Sequence, residues 1–226
     1  MYEIQKNLTR LKNGQPTFFL DLNEAKEIKR KLGKTKINIF LPTKDSEKFI
    51  YYLDNEPEVL LYEIKCNNTI RPPDILGTLY SLNISKEMYG DIIITEGRYF
   101  IYILKLFQNY FETNFLKVKS SKIELIKLDL DYLKDYERSY EEIELIVSSE
   151  RIDTIVSHLA NTSRGLIKDK VKNKEIMLNQ EILKNLSYTL KVNDTFSIKK
   201  IGKFKYMGVI KTTKSNNYVV KVLKYI

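Results

Sequence analysis

The chain has no tryptophan, one cysteine, one histidine, five prolines and eight glycines among its 226 residues. Each scarcity excludes something. A lone Cys66 cannot close an internal disulfide, so a reducing compartment is expected and the fold must be held by its own core. With His158 as the one histidine and no second cysteine, a structural zinc site has no ligand set. Gly33, Gly77, Gly90, Gly97 and Gly165 stand apart from one another, so there is no phosphate-cradling glycine loop, no G-x-G-x-x-G and no G-x-S-x-G elbow. No run approaches the roughly 20 uncharged apolar residues of a membrane span. The opening MYEIQKNLTRLKNG has no apolar core of the signal-peptide kind. These exclusions lead to the expectation of a cytoplasmic protein without cofactor or metal and without an enzyme's acid–base constellation.

What is present is apolar enough, at 43% with 12% aromatic, to build packed cores rather than a disordered chain. Charge is unevenly placed. Residues 148–226 carry 16 Lys+Arg against 6 Asp+Glu, whereas residues 1–147 carry 22 against 23. A basic module on a neutral body is the footprint of polyanion binding, and solubility alone requires no such segregation. The near-neutral first two thirds argue against purely electrostatic polyanion binding there.

Periodicity predicts an α+β protein. TFFLDLNEAKEIKRKL (17–32) reads as an apolar lead-in and a helix capped by Asp21 or Asn23. INIFL (37–41) reads as a strand, KDSEKFIYYL (44–53) as a helix with Phe49, Ile50 and Leu53 inward, and EVLLYEIKC (58–66) as a strand. Pro72 and Pro73 suit the start of a helix whose Leu76, Leu79 and Tyr80 face inward. GDIIITEGRYFIYIL reads as a hairpin turning at Glu96-Gly97, followed by a helix near 105–115 and a strand over 122–128. The expected domains are two small α+β units, 1–68 and 69–128, then an acidic linker and entry strand over 129–147, then a module over 148–226. The linker, with seven acids and two bases from Asp129 to Glu144, would be able to shield that module.

The last module opens with two helical patterns. Ser149 is the expected cap of the first, with Ile152, Ile155, Val156 and Leu159 on one face, and Ser163 caps the second, over about 164–173. Ile167 and Val171 face its core. Arg164, Lys168 and Lys172 are spaced by four and form one exposed stripe, which costs a few tenths of a kcal/mol per like-charged pair unless an anion relieves it. Short strands follow over 175–179, 194–202, 204–212 and 217–226. Tyr99, Tyr102, Tyr110, Tyr188, Tyr206 and Tyr218 are of a type that stacks on bases, but most, at alternating positions, are read as core or sheet surface.

Arg151-Ile152-Asp153, Ser163-Arg164 ten residues on, Ile176-Met177-Leu178-Asn179 and Asn193-Asp194 resemble, in order and spacing, the S-four RNA-binding domain over about 148–200. That domain's pattern is Arg-Leu-Asp, Ser-Arg, Gly-x-Val-x-Val-Asn, Gly-Asp. The ending IGKFK (201–205), the early FFLDLNEAKEIKRKL and the central PPDILGTLYSLNISKEMYGDIIITEG resemble the bacterial YlmH-type proteins, nearly along the full length. Departures are Lys174 for the domain's first glycine, Asn193 for its second and Leu22 for a proline of the early motif. The turn at Lys174 is expected to form with Asn173 left-handed.

The resemblance implies a C-terminal S-four-like domain, two helices on a small β-sheet, that lays its second helix against RNA backbone. It implies a monomeric, non-enzymatic factor whose partners are rRNA or tRNA and the large ribosomal subunit, acting in ribosome-associated quality control. Arg164 and Lys168 are the first expected phosphate contacts and Arg151 the next. Ser163, Lys172, Lys174 and Asn179 extend the surface, and Lys199, Lys200, Lys203 and Lys205 form a second basic edge. Asp153 is read as structural, orienting Arg151 or Arg164. Arg-Ile-Asp also resembles the catalytic-aspartate motif of pseudouridine synthases, but only 73 residues follow Asp153, too few for that domain. The alternatives are an RNA-modifying enzyme with an unrecognised site and a scaffold in cell division.

Overall fold

The computed structural model describes residues 2–226, which fall into two compact units: one that ends at Glu137, and Arg138–Ile226. In the first, helix α1 (Tyr2–Lys12) packs Leu8 and Leu11 against Ala25 and Ile28 of α2 (Leu22–Leu32). A capping box starts α2. The Asp21 carboxylate accepts the Asn23 and Glu24 N–H groups at 3.0 and 2.9 Å, and Glu24 accepts the Asp21 N–H at 3.0 Å. A cap of this kind contributes about 1 kcal/mol.

Strands β1 (Asn38–Phe40) and β2 (Ile50–Tyr52) pair antiparallel. The helix expected over 44–53 is therefore absent. Phe49-Ile50-Tyr51-Tyr52 is a β-branched and aromatic run, and it finds partners on both sides: β1, and the extended lead-in, where Leu20 bridges Phe49 and the Thr17 N–H reaches the Tyr51 carbonyl.

The chain then builds a five-stranded antiparallel sheet. In chain order come β3 (Val59–Cys66), α3 (Pro72–Ser81), β4 (Tyr89–Thr95), β5 (Arg98–Leu104), a 3-10 turn, α4 (Gln108–Asn114), β6 (Lys117–Val118) and β7 (Ser121–Leu128), with strand order β4-β5-β3-β7-β6. The expected hairpin forms, with Glu96 at φ 52° and Gly97 at φ 74°, the two positive values that a tight two-residue turn requires. α3 buries Ile75 and Leu79, while Leu76 and Tyr80 point outward, against expectation.

The expected boundary at 68 does not separate units. β3 lies at the centre of the sheet, with β5 on one side and β7 on the other. Its Leu61, Tyr62 and Ile64 are buried, so both its faces are covered. Residues 129–137 also belong to this unit, since Leu133 packs in the core with Phe18, Phe100 and Tyr102.

The second unit is a six-stranded antiparallel sheet with two helices on one face. Its elements are β8 (Tyr140–Val147), α5 (Ile152–Leu159), α6 (Arg164–Lys172), β9 (Ile176–Leu178), β10 (Glu181–Ile182), β11 (Thr195–Ile198), β12 (Gly202–Thr212) and β13 (Tyr218–Tyr225), in the order β10-β9-β11-β12-β13-β8. Ile152, Ile155, Val156 and Ile167 of the helices meet Ile176, Phe196, Ile198, Phe204, Tyr206, Val220 and Val222 of the sheet in one core. The acidic stretch is not a linker over its second half. β8 pairs with β13 along its whole length, and Glu141 and Glu142 bind Lys224 and Lys221 at 2.9 and 2.6 Å. Those carboxylates are committed to β13 and do not shield α6.

Candidate nucleic-acid interface

The candidate interface of the second unit is built from the starts of its two helices. Arg151, not Ser149, is the N-cap residue of α5; the Ser149 hydroxyl instead lies 3.1 Å from that of Thr154. Arg151 grips Asp153 with two hydrogen bonds, Nε to Oδ1 at 3.0 Å and a terminal nitrogen to Oδ2 at 2.7 Å. Asp153 also accepts the Thr154 N–H at 2.9 Å. Burial alone would raise the Asp153 carboxyl. The Arg151 guanidinium outweighs it, aided by the Thr154 N–H and the charge of Arg164, so its pKa lies below the usual value of 3.8.

Arg164, at the first turn of α6, donates to the Thr154 hydroxyl at 2.6 Å and reaches the Ser148 hydroxyl at 3.4 Å. The RID segment thus holds two guanidinium groups around one carboxylate, and Arg164 stays exposed. Asp153 orients Arg151 directly and Arg164 through charge and Thr154.

Ser163 caps α6, its hydroxyl accepting the Leu166 N–H at 3.4 Å. Ile167 is buried, and Arg164, Lys168 and Lys172, spaced by four, are exposed as one stripe beside the packed face. Eight residues of helix span about 12 Å. Lys170, off the stripe, is tied to Glu175 at 3.0 Å.

α6 ends in a Schellman motif, with Glu175 N–H on the Lys170 carbonyl at 2.8 Å and Lys174 N–H on the Val171 carbonyl at 2.9 Å. The left-handed residue is Lys174, at φ 58°, and not Asn173, at φ −81°. A lysine therefore sits where glycine is favoured by about 1 kcal/mol. Beyond it opens a cleft of about 620 Å³ whose lining includes Lys174, Met177, Lys199, Lys200 and Lys203 together with the acid Glu175. Lys200 is left-handed as well, at φ 68°. Arg151, Arg164, Lys168, Lys172 and Lys174 and the cleft lysines follow one another along a single basic track.

Two expected residues lie off this track. Asn179 is used internally: its amide donates to Asp194 at 2.9 Å and accepts the Thr195 N–H at 2.9 Å, which ties β9 to β11. Lys205 lies further along β12, opposite Thr195 and Leu223, and does not line the cleft. Asn193 is left-handed at φ 73°, as expected of a glycine substitute. Of the candidate tyrosines, Tyr102 and Tyr206 are fully buried and Tyr188 donates to Asp194 at 3.1 Å, so none of these three is a stacking platform. Tyr110 remains 47% exposed. Asn161-Thr162-Ser163, expected as a turn and helix cap, also lines with Ser157 and His158 a polar cavity of about 390 Å³ beside the start of α6. The hydroxyl pair Ser148 and Thr154 was missed for a plainer reason, since nothing in their spacing shows that Arg164 returns to them.

Fold and site together define an α+β protein with a basic, polyanion-complementary track. The comparisons with known proteins narrow this. Residues 54–132 match the family described as "Putative RNA-binding domain in YlmH". The chain is 23% identical over 146 residues to the ribosome-associated protein quality control protein P2 of Bacillus subtilis, a match covering 65% of this chain and 57% of that relative. It is also similar to the cell division protein ylmH from Streptococcus pneumoniae, with a TM-score of 0.48 and 19% identity, over 59% of this chain and 92% of that one. The resemblance to YlmH-type RNA-binding proteins read from the sequence is borne out.

Proposed function

We propose that the protein is a non-enzymatic RNA-binding factor that acts on the ribosome or on tRNA, in quality control of stalled large subunits. Residues 148–226 serve as an S-four-like domain whose second helix lies along RNA backbone. The observation that carries the reading is the stripe of Arg164, Lys168 and Lys172, exposed on α6 and continued by Lys174 into a lysine-lined cleft. Such a track neutralises several phosphates in succession and releases their counterions, a contribution independent of base sequence. The geometry suits structured RNA read by shape and backbone. Support for the ribosome as the setting comes from the name of the Bacillus subtilis relative.

The test is co-sedimentation of the tagged protein through a sucrose gradient at low and high salt, with sequencing of the bound RNA. The expected result is migration with free large subunits at low salt, lost at high salt, with tRNA enriched in the bound fraction. Migration at the top of the gradient with no RNA above background would sink the reading and favour a protein-binding scaffold.

A further inference from the structure

The near-zero net charge of residues 1–147 conceals a second segregation. Residues 26–36, KEIKRKLGKTK, hold six cations (Lys26, Lys29, Arg30, Lys31, Lys34 and Lys36) against the single acid Glu27. The remainder of 1–147 then carries 16 basic and 22 acidic residues. All six cations are exposed. The nearest approach to an acid is Arg30 to Glu27 at 3.9 Å, the long limit of an ion pair. Among the described residues, Lys26, Lys29, Lys31, Lys34 and Lys36 have no salt-bridge partner.

Local helix physics accounts for part of this. Lys29, Arg30 and Lys31 lie in the last turn of α2, where the helix dipole favours cations. It does not account for Lys34 and Lys36, which lie past Gly33 outside the helix, nor for Lys26, which faces Lys29 at i+3 and Arg30 at i+4 with like charge. The buried side of α2, Ala25 and Ile28, is occupied by α1. The cations therefore surround the free end of a docked helix. A membrane-lying helix needs a free apolar face, and on α2 Leu22 alone among the large apolar side chains is exposed.

We infer that the C-terminal end of α2 and the loop through Lys36 form a second phosphate-binding surface, located on the first unit, which takes the backbone of RNA independently of α6. The inference rests on the reading of the protein as an RNA binder. It extends that reading to the part of the chain whose net charge argues against it.

The test compares full-length proteins binding a structured RNA hairpin across a salt series, with phosphatidylglycerol vesicles as a second probe. The first variant replaces Lys26, Lys29, Lys31, Lys34 and Lys36 by Gln; the second is Arg164→Ala/Lys168→Ala/Lys172→Ala; the third combines them. Unchanged far-UV circular dichroism and melting controls for folding. With roughly 0.7–0.9 units of salt slope per neutralised phosphate, the five-fold variant is expected to flatten the slope by about two to four and weaken binding at least tenfold. The combined variant is expected to lose the binding that either parent retains. RNA affinity and slope equal to wild type in the five-fold variant would overturn this inference and leave the α6 reading standing. Loss of vesicle binding alone would overturn it too. Full affinity in the α6 variant with loss in the five-fold one would instead overturn the α6 reading and keep this one.

Discussion

The two basic helices, α2 in the first unit and α6 in the second, solve the same electrostatic problem differently. On α6 the cations are organised. Arg164 is pinned by Thr154 and Ser148, Lys170 is neutralised by Glu175, and the stripe runs on into a cleft through a left-handed lysine. On α2 they are dense but unsupported, held by the helix dipole and by little else. Organised cations imply a defined geometry for phosphates; unsupported ones imply attraction with less register. Net charge per region, the coarsest measure, finds α6 and hides α2.

The largest expected effect comes from uncoupling the units. Phe196 is 1% exposed and stacks on Phe204 at 5.4 Å in the core that only the second unit shares. Phe196→Ala should cost about 3–5 kcal/mol, with protection from hydrogen exchange lost over 138–226 and retained over the sheet built on β3. Equal loss in both units would show that they do not fold separately.

Next in size is Arg164→Ala with Lys168→Ala and Lys172→Ala, expected to weaken RNA binding by roughly ten- to a hundredfold at low salt while costing the fold only about 1 kcal/mol, for the hydrogen bond from Arg164 to Thr154. Thermal melts and fluorescence anisotropy with labelled RNA separate the two quantities.

Asp153→Asn should cost about 1–2 kcal/mol, because the Arg151 guanidinium loses a charged acceptor, and should lower RNA affinity by releasing Arg164. The folded carboxyl titrates below the unfolded value of 3.8. Its contribution is therefore complete above that value and is lost as pH falls through the folded pKa. Melts in acid should show the wild-type advantage over Asp153→Asn shrinking below about pH 4; an advantage that persists to the lowest pH would contradict the assignment.

The smallest effect has two signs. Lys174→Gly relieves a left-handed lysine and should stabilise the second unit by about 1 kcal/mol. It should also flatten the RNA salt slope by less than one unit. A variant that gains stability without losing any slope would remove Lys174 from the track.

Much of this was legible in the sequence, and the misses have physical causes. The α6 stripe, its serine cap and the Glu96-Gly97 turn follow from local rules, and they form as expected. KDSEKFIYYL fits a helical spacing and a strand composition at once, and tertiary pairing with Leu20 and β1 decided for strand. Leu76 and Tyr80 are apolar, yet α3 docks through Ile75 and Leu79, one residue round the helix. The centre of the first sheet was placed at a domain edge because β3 pairs with strands about 40 and 65 residues away, and pairing at that distance leaves no local mark. At the site, residue types and spacing point to the stripe, whereas Asn179 spent on Asp194, and Lys174 in place of Asn173 bearing the backbone strain, follow from tertiary contacts that leave no local mark.

Whether the exposed stripe of α6 contacts phosphates is decided by the salt dependence of RNA binding. The slope of log affinity against log salt is measured for the full-length protein and for Arg164→Ala/Lys168→Ala/Lys172→Ala. The slope is expected to be shallower by about two to three units in the variant, with the fold intact. Identical slopes would remove the stripe from phosphate binding.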